Sequence, residues 1–138
     1  MSVRYLLDAC ALIAFLTGEP GGENVKTILH QASDGEATVR INKINLLEVY
    51  YDTYRAYGKD KAEDMLNSIK KSPVEVISEI SDAVFSEAGR IKASYKVSLA
   101  DTIALAESLV SGDTLLTSDH HEFETIEGSE KISISWIR

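Results

Sequence analysis

The sequence predicts an α/β fold: three α/β/α layers around a mainly parallel sheet of four to five strands. Three observations predict it. Short apolar runs of strand length alternate with longer segments of helical periodicity. Glycine and proline cluster at boundaries between them, as at Gly18, Pro20, Gly21, Gly22, Gly58, Pro73 and Gly112. The 138 residues contain no repeat, linker or low-complexity tract, so residues 1–138 are expected to form a single domain.

The elements follow in order. Residues 3–7 (VRYLL) read as a buried strand that ends at Asp8, and residues 11–16 (ALIAFL) as a short apolar helix broken by Gly18, Pro20, Gly21 and Gly22. Residues 23–33 carry Val25, Ile28 and Leu29 at helical spacing and stop near Asp34-Gly35. Residues 37–41 (ATVRI) give a second strand. Helices are expected over 43–57, ending at Gly58, and over 59–71, ending before Pro73. Residues 74–77 (VEVI) give a third strand, 80–95 and 98–111 two further helices with Gly112 closing the second, and 114–117 (TLLT) and 132–137 (ISISWI) the last two strands. In such sheets, sites form beyond the carboxyl ends of the strands, where strand order reverses.

Composition limits the function classes. No apolar stretch reaches the ~18 residues of a membrane span. The apolar start is interrupted by Asp8 and lacks a clean cleavage pattern, so neither a signal peptide nor a membrane location is expected. A lone cysteine, Cys10, rules out an intrachain disulfide and fits a reducing cytoplasm. The net charge of −8 speaks against a high-affinity, nonspecific nucleic-acid binder. If four of the acids share one metal site, half of that charge is accounted for. The remaining acidity suits a partner with a basic tail.

Four acids fall at the places that matter. Asp8 ends the first strand, where an N-cap is the simplest role for an aspartate. Glu48 lies beside a stripe of Ile44, Leu47, Tyr51 and Tyr54 expected to face inward, and burial of a carboxylate there is costly without a partner. Asp101 follows Ser98 by three residues, a capping-box spacing, at the head of a helix apolar nearly all round. Asp119 follows the TLLTS run, where a turn-forming role is the alternative. The nearby His120, His121, Glu122 and Glu124 lack the spacing of a zinc site. Each acid alone is a weak signal, but all four can converge on one edge of one sheet. Carboxylates so crowded need a cation to stay ionised, and an all-oxygen set selects Mg²⁺ or Mn²⁺.

Leu6-Leu7-Asp8, Leu47-Glu48, Leu99-Ala100-Asp101-Thr102-Ile103-Ala104 and Leu115-Leu116-Thr117-Ser118-Asp119 resemble, in order and spacing, the four acidic motifs of the PIN domain family, over essentially the whole chain. The resemblance implies a Mg²⁺- or Mn²⁺-dependent endoribonuclease that leaves a 3′-hydroxyl and a 5′-phosphate. A stand-alone domain of this length resembles the VapC-type toxins of toxin–antitoxin pairs, which form homodimers and are silenced by a cognate antitoxin. Carried over by position, Asp8, Glu48 and Asp101 are the principal metal ligands and Asp119 the fourth acid, with Thr117 and Ser118 as supporting hydroxyls. Many members place a hydroxyl or amide one or two positions after the first aspartate. Here those positions are Ala9 and Cys10, and Thr117 is the residue that could substitute.

Arg40, Lys43, Arg55, Arg90, Lys92 and Lys96 are the candidate cations for an RNA backbone. A haloacid-dehalogenase-type phosphatase would need a second aspartate where Cys10 stands. A receiver domain would need an acidic pair after the first strand and a phosphorylatable aspartate after the third, which here ends Ile77-Ser78-Glu79. The main alternative is a PIN-fold binding or scaffold protein with little or no nuclease activity.

Overall fold

A computed structural model describes residues 3–138. Strands β1 (Val3–Leu7), β2 (Ala37–Asn42), β3 (Glu75–Ile77), β4 (Thr114–Thr117) and β5 (Ile134–Trp136) form one sheet of order β3-β2-β1-β4-β5. Every neighbouring pair is parallel. The helices are α1 (Ala9–Thr17), α2 (Gly22–Ser33), α3 (Lys43–Tyr57), α4 (Lys59–Lys70), α5 (Asp82–Ser94), α6 (Leu99–Ser111) and α7 (His120–Ser129). The expected α/β/α arrangement with a parallel sheet is what the chain adopts.

Alternation along the strands builds the layers, because successive side chains point to opposite faces. Leu7, Ile41 and Leu116 pack with α1, α2, α3 and α4, in a core that includes Leu12, Val25, Val49 and Ile69. Leu6 and Leu115 point the other way, into a core with Val84, Ile91, Leu105, Phe123 and Ile126 from α5, α6 and α7. Leu6, Leu7, Leu115 and Leu116 are all fully buried. The chain steps from β1 through β2 to β3 on one side, then returns to place β4 on the other side of β1. The reversal point therefore lies between the ends of β1 and β4, where Asp8 and Thr117 stand.

Two sequence expectations change. Leu47, Tyr51 and Tyr54 of α3 are 53%, 43% and 47% exposed, so that stripe faces outward; the buried positions of the helix are Asn45, Leu46 and Val49. Both sets have helical spacing, and the core is closed by the smaller side chains because α3 packs closely on α1, α4 and α6. Helix α7 has no counterpart among the expected elements. Asp119 caps it, its Oδ1 accepting from Glu122 N at 3.1 Å. An aspartate followed three residues later by a glutamate is a helix-start spacing.

Near the amino-terminal side of β4, Asp113 is buried and accepts from Arg40 Nε at 2.8 Å. Arg4 Nε stands 2.9 Å from its other oxygen, an ion contact off hydrogen-bond geometry. This ties β1, β2 and β4 together by charge. Removing one member of a buried pair strands the other, at a typical cost of about 3–5 kcal/mol. Asp113→Ala is expected to lower stability by about 3 kcal/mol, seen as a lower urea midpoint with an unchanged slope; an unchanged midpoint would show that the pair contributes nothing.

Candidate metal centre at the carboxyl edge of the sheet

Asp8 is fully buried and caps α1. Its Oδ1 accepts from Ala11 N at 2.8 Å, and its Oδ2 accepts from the Thr117 hydroxyl. That hydroxyl also accepts from Asp119 N at 3.0 Å, so one side chain joins the ends of β1 and β4 and the start of α7. With Ala9 and Cys10 unable to provide it, Thr117 gives Asp8 its side-chain hydrogen bond. Ser118 enters through its backbone carbonyl, which accepts from His120 N at 3.0 Å.

Asp101 sits in the first turn of α6, only 9% exposed. Its N–H donates to the Ser98 hydroxyl, the cap of that helix, at 3.2 Å. The neighbouring Ala100 carbonyl accepts from Asn45 Nδ2 at 3.1 Å, which fastens α3 to the head of α6. Glu48, one turn along α3 from Asn45, is partly buried on the same side. Carboxylate oxygens of Asp101, Asp119 and Glu122 lie within 4.8 Å of one another. Glu122 was seen in the sequence only as a neighbour of two histidines. Its signal was the three-residue step from Asp119, which turns it back toward the capping aspartate.

The electrostatics record the crowding. Burial, opposed by the Thr117 and Ala11 hydrogen bonds and reinforced by repulsion from Asp101 and Asp119, pushes Asp8 up to about 7. Burial, opposed by Ser98 and reinforced by Asp119, Glu122 and Glu48, pushes Asp101 up to about 7 as well. Glu48 is raised by burial, then by Asp52 and Asp119. The Cys10 thiol is pushed up to about 12 by burial and then by all four acids, Asp8, Asp119, Asp101 and Glu48. It therefore lies among them as a protonated thiol, not as a nucleophile.

Asp101 and Asp119 thus come together with Glu122 beyond the end of β4, and Asp8 and Glu48 are coupled to this group by charge repulsion. Among the described residues the grouped metal-ligating side chains include no histidine or cysteine, and His120 directs its Nδ1 at Glu124 Oε1 (2.7 Å) and its Nε2 at the Arg138 carbonyl (2.8 Å). The donors are oxygens and like charges face one another, a combination that suits a hard divalent cation.

Three of the candidate RNA-contacting cations are engaged elsewhere. Arg40 is held by Asp113, Arg90 pairs with Glu87 and Glu130, and Lys92 Nζ donates to the Val97 carbonyl at 2.5 Å. Lys43, Arg55 and Lys96 remain exposed.

A five-stranded parallel sheet between helices, with an acid cluster beyond the end of β4, defines a three-layer α/β protein with its candidate site at that edge. More particularly, the PIN domain family profile matches residues 5–128, and the chain belongs to that family. No curated protein sequence matches it significantly. Similar solved structures include the DNA-bound VapBC of Salmonella typhimurium, with 17% identity, a TM-score of 0.75 and 99% of each chain covered. VapBC2 of Rickettsia felis, bound to a fragment of its promoter, gives 16% identity and a TM-score of 0.73, covering 97% of this chain and 98% of that one. A Mycobacterium tuberculosis VapC, a sarcin–ricin-loop-cleaving toxin, gives 14% identity and a TM-score of 0.63, covering 93% and 95%. At these identities the likeness establishes the fold.

The raised acids set a direction for stability against pH. An acid whose folded value lies above its unfolded value keeps its proton longer in the folded chain, so stability falls as pH rises between the two. For Asp8 and Asp101 that window runs from 3.8 to about 7. With a chelator present, the melting temperature is expected to fall by several degrees from about pH 5 to about pH 8, and a divalent cation is expected to flatten that slope. A pH-independent melting temperature in chelator would contradict the crowding.

Proposed function

We propose that this chain is a divalent-metal-dependent endoribonuclease and the toxin of a type II toxin–antitoxin pair. The observation that carries the proposal is the convergence of acids from four separate elements on the carboxyl edge of a PIN-domain sheet. Asp8, Glu48, Asp101 and Asp119 would hold Mg²⁺ or Mn²⁺, with Glu122 beside Asp101 and Asp119. The cation would supply activation of water and charge stabilisation on a phosphodiester.

The chain's own residues prepare that edge. Thr117 and the Ala11 N–H each occupy one acceptor position on Asp8, fixing its rotamer and leaving further lone pairs for the cluster. Ser98 and Asn45 hold the head of α6, which sets where Asp101 stands relative to Glu48. Burial of Asp8 and Asp101 keeps bulk water from screening their charge. Exposed Lys43, at the first position of α3 just beyond the end of β2, is the cation best placed to meet an RNA backbone at this edge.

The partners we assign are RNA, a cognate antitoxin and a second copy of the chain in a homodimer. Exposed apolar surface supports protein partners. One groove of about 350 Å³ is lined by Ile44, Ile80, Phe85, Leu99 and Ile103, with Phe85 73% and Leu99 65% exposed. Another, of about 370 Å³, runs between α1 and α3 along Ile13, Leu16, Val49 and Tyr57. Among the described residues no helix is long and apolar enough to cross a membrane. The single free Cys10 supports a cytoplasmic setting.

RNA cleavage is expected with Mn²⁺ or Mg²⁺ and lost in EDTA. Asp101→Asn is expected to lower it by at least the roughly 10–100-fold that loss of a ligand's supporting partner costs. Full activity in that variant, or in EDTA, would sink the assignment. A chain that stays folded, binds a partner protein and leaves RNA uncut at every metal would be a PIN-fold binding module instead. Independently of turnover, Mn²⁺ at about a hundred times its dissociation constant should add about 2.7 kcal/mol of stability; a flat thermal titration would show that no site exists.

A further inference from the structure

We infer that the stacked His120 and Trp136 rings form a platform for one unpaired RNA base next to the scissile phosphate, an inference that rests on the ribonuclease reading above. The two rings lie 4.0 Å apart between centroids and 12° from parallel. Trp136 packs against the core beneath α5, α6 and α7, so the stack has a fixed base. His120 lies against it, and its side chain is still 44% exposed.

The polar edges of the rings are already occupied. His120 Nδ1 faces Glu124 Oε1 at 2.7 Å and Nε2 faces the Arg138 carbonyl at 2.8 Å. Trp136 Nε1 donates to Glu127 Oε1 at 3.4 Å. These contacts hold the rings in orientation, and what is left to offer is an aromatic face. A face ordered in advance loses little freedom when a base settles on it. The rim also selects what can settle there. With those edges engaged by Glu124, Glu127 and the Arg138 carbonyl, no ring N–H is free for a phosphate, whereas a base has a π-face that stacks on histidine or tryptophan.

Position ties the platform to the cleavage edge. His120 directly follows Asp119, so their Cα atoms are about 3.8 Å apart. Both stand at the start of α7, beyond the end of β4. A base on His120 belongs to a nucleotide beside the phosphate that the acids address. Stacking reads unpaired nucleotides and not duplex, whose bases are already stacked on one another. The substrate class is therefore single-stranded RNA or a loop with an extruded base.

The test separates base from backbone. Trp136 is the only tryptophan in the chain, so its fluorescence reports the stack directly. In Asp101→Asn protein with Mg²⁺, a short single-stranded oligoribonucleotide is compared with an abasic ribose-phosphate chain of the same length. The base-bearing chain is expected to bind at least about 5-fold more tightly, the lower end of what one stacked base contributes. Adding His120→Leu, which covers Trp136 with a non-planar side chain, should erase the difference, and His120→Phe should retain it. A purely structural role for His120 would weaken both ligands alike. Equal binding of the two chains, a preference that survives His120→Leu, or no binding of either overturns the platform. If wild-type protein still cuts RNA in that event, the ribonuclease reading stands without it. A clear base preference in a chain that never cuts RNA would leave the platform and remove the nuclease.

Discussion

A fully buried carboxylate sits between the ends of β1 and β4, and the rest of the site is arranged in answer to it. Asp8 is placed there by Leu6 and Leu7, which commit β1 to the middle of the sheet, one leucine to each face. Its two hydrogen bonds come from opposite directions in sequence, from the first turn of α1 and from Thr117 over a hundred residues later. The site therefore exists only when the sheet has closed. Thr117 is what the closure contributes, and through Asp119 N it also sets where α7 begins.

The negative charge of the chain has two distinct uses. At one edge of the sheet Asp113 is matched by Arg4 and Arg40 and acts as a clamp among three strands. At the other edge Asp101, Asp119 and Glu122 lie together, and Asp8 and Glu48 add to the repulsion. An acid with a partner steadies a fold, whereas acids gathered against each other store repulsion that a proton or a ligand of opposite sign relieves. The same residue type thus marks structure at one end of the molecule and chemistry at the other.

Much of this was legible in the sequence, and the failures have physical causes. Strand–helix alternation gave the layers because apolar periodicity is what the layers bury. Asp8, Asp101 and Asp119 stood out because they fall at element boundaries, where β1 and β4 end and where α6 begins. The inward stripe on α3 was misassigned because Tyr51 and Tyr54 are apolar enough to mimic a core face; burial is decided by neighbouring helices that periodicity does not contain. Helix α7 was missed because its residues, His120 to Ser129, are mostly polar and only Phe123 and Ile126 are buried. With α7 went Glu122 and the pairing of His120 with Trp136. Among the candidate RNA contacts, Arg40 could not be sorted from Lys43, since the sequence does not disclose which cation already has a buried carboxylate.

The same charge acts on the lone cysteine. Burial and then the four acids push the Cys10 thiol up to about 12, so it stays protonated at neutral pH. Peroxide and disulfide chemistry both act on the thiolate. The acids at the sheet edge therefore also make the neighbouring thiol a weaker nucleophile than a free cysteine.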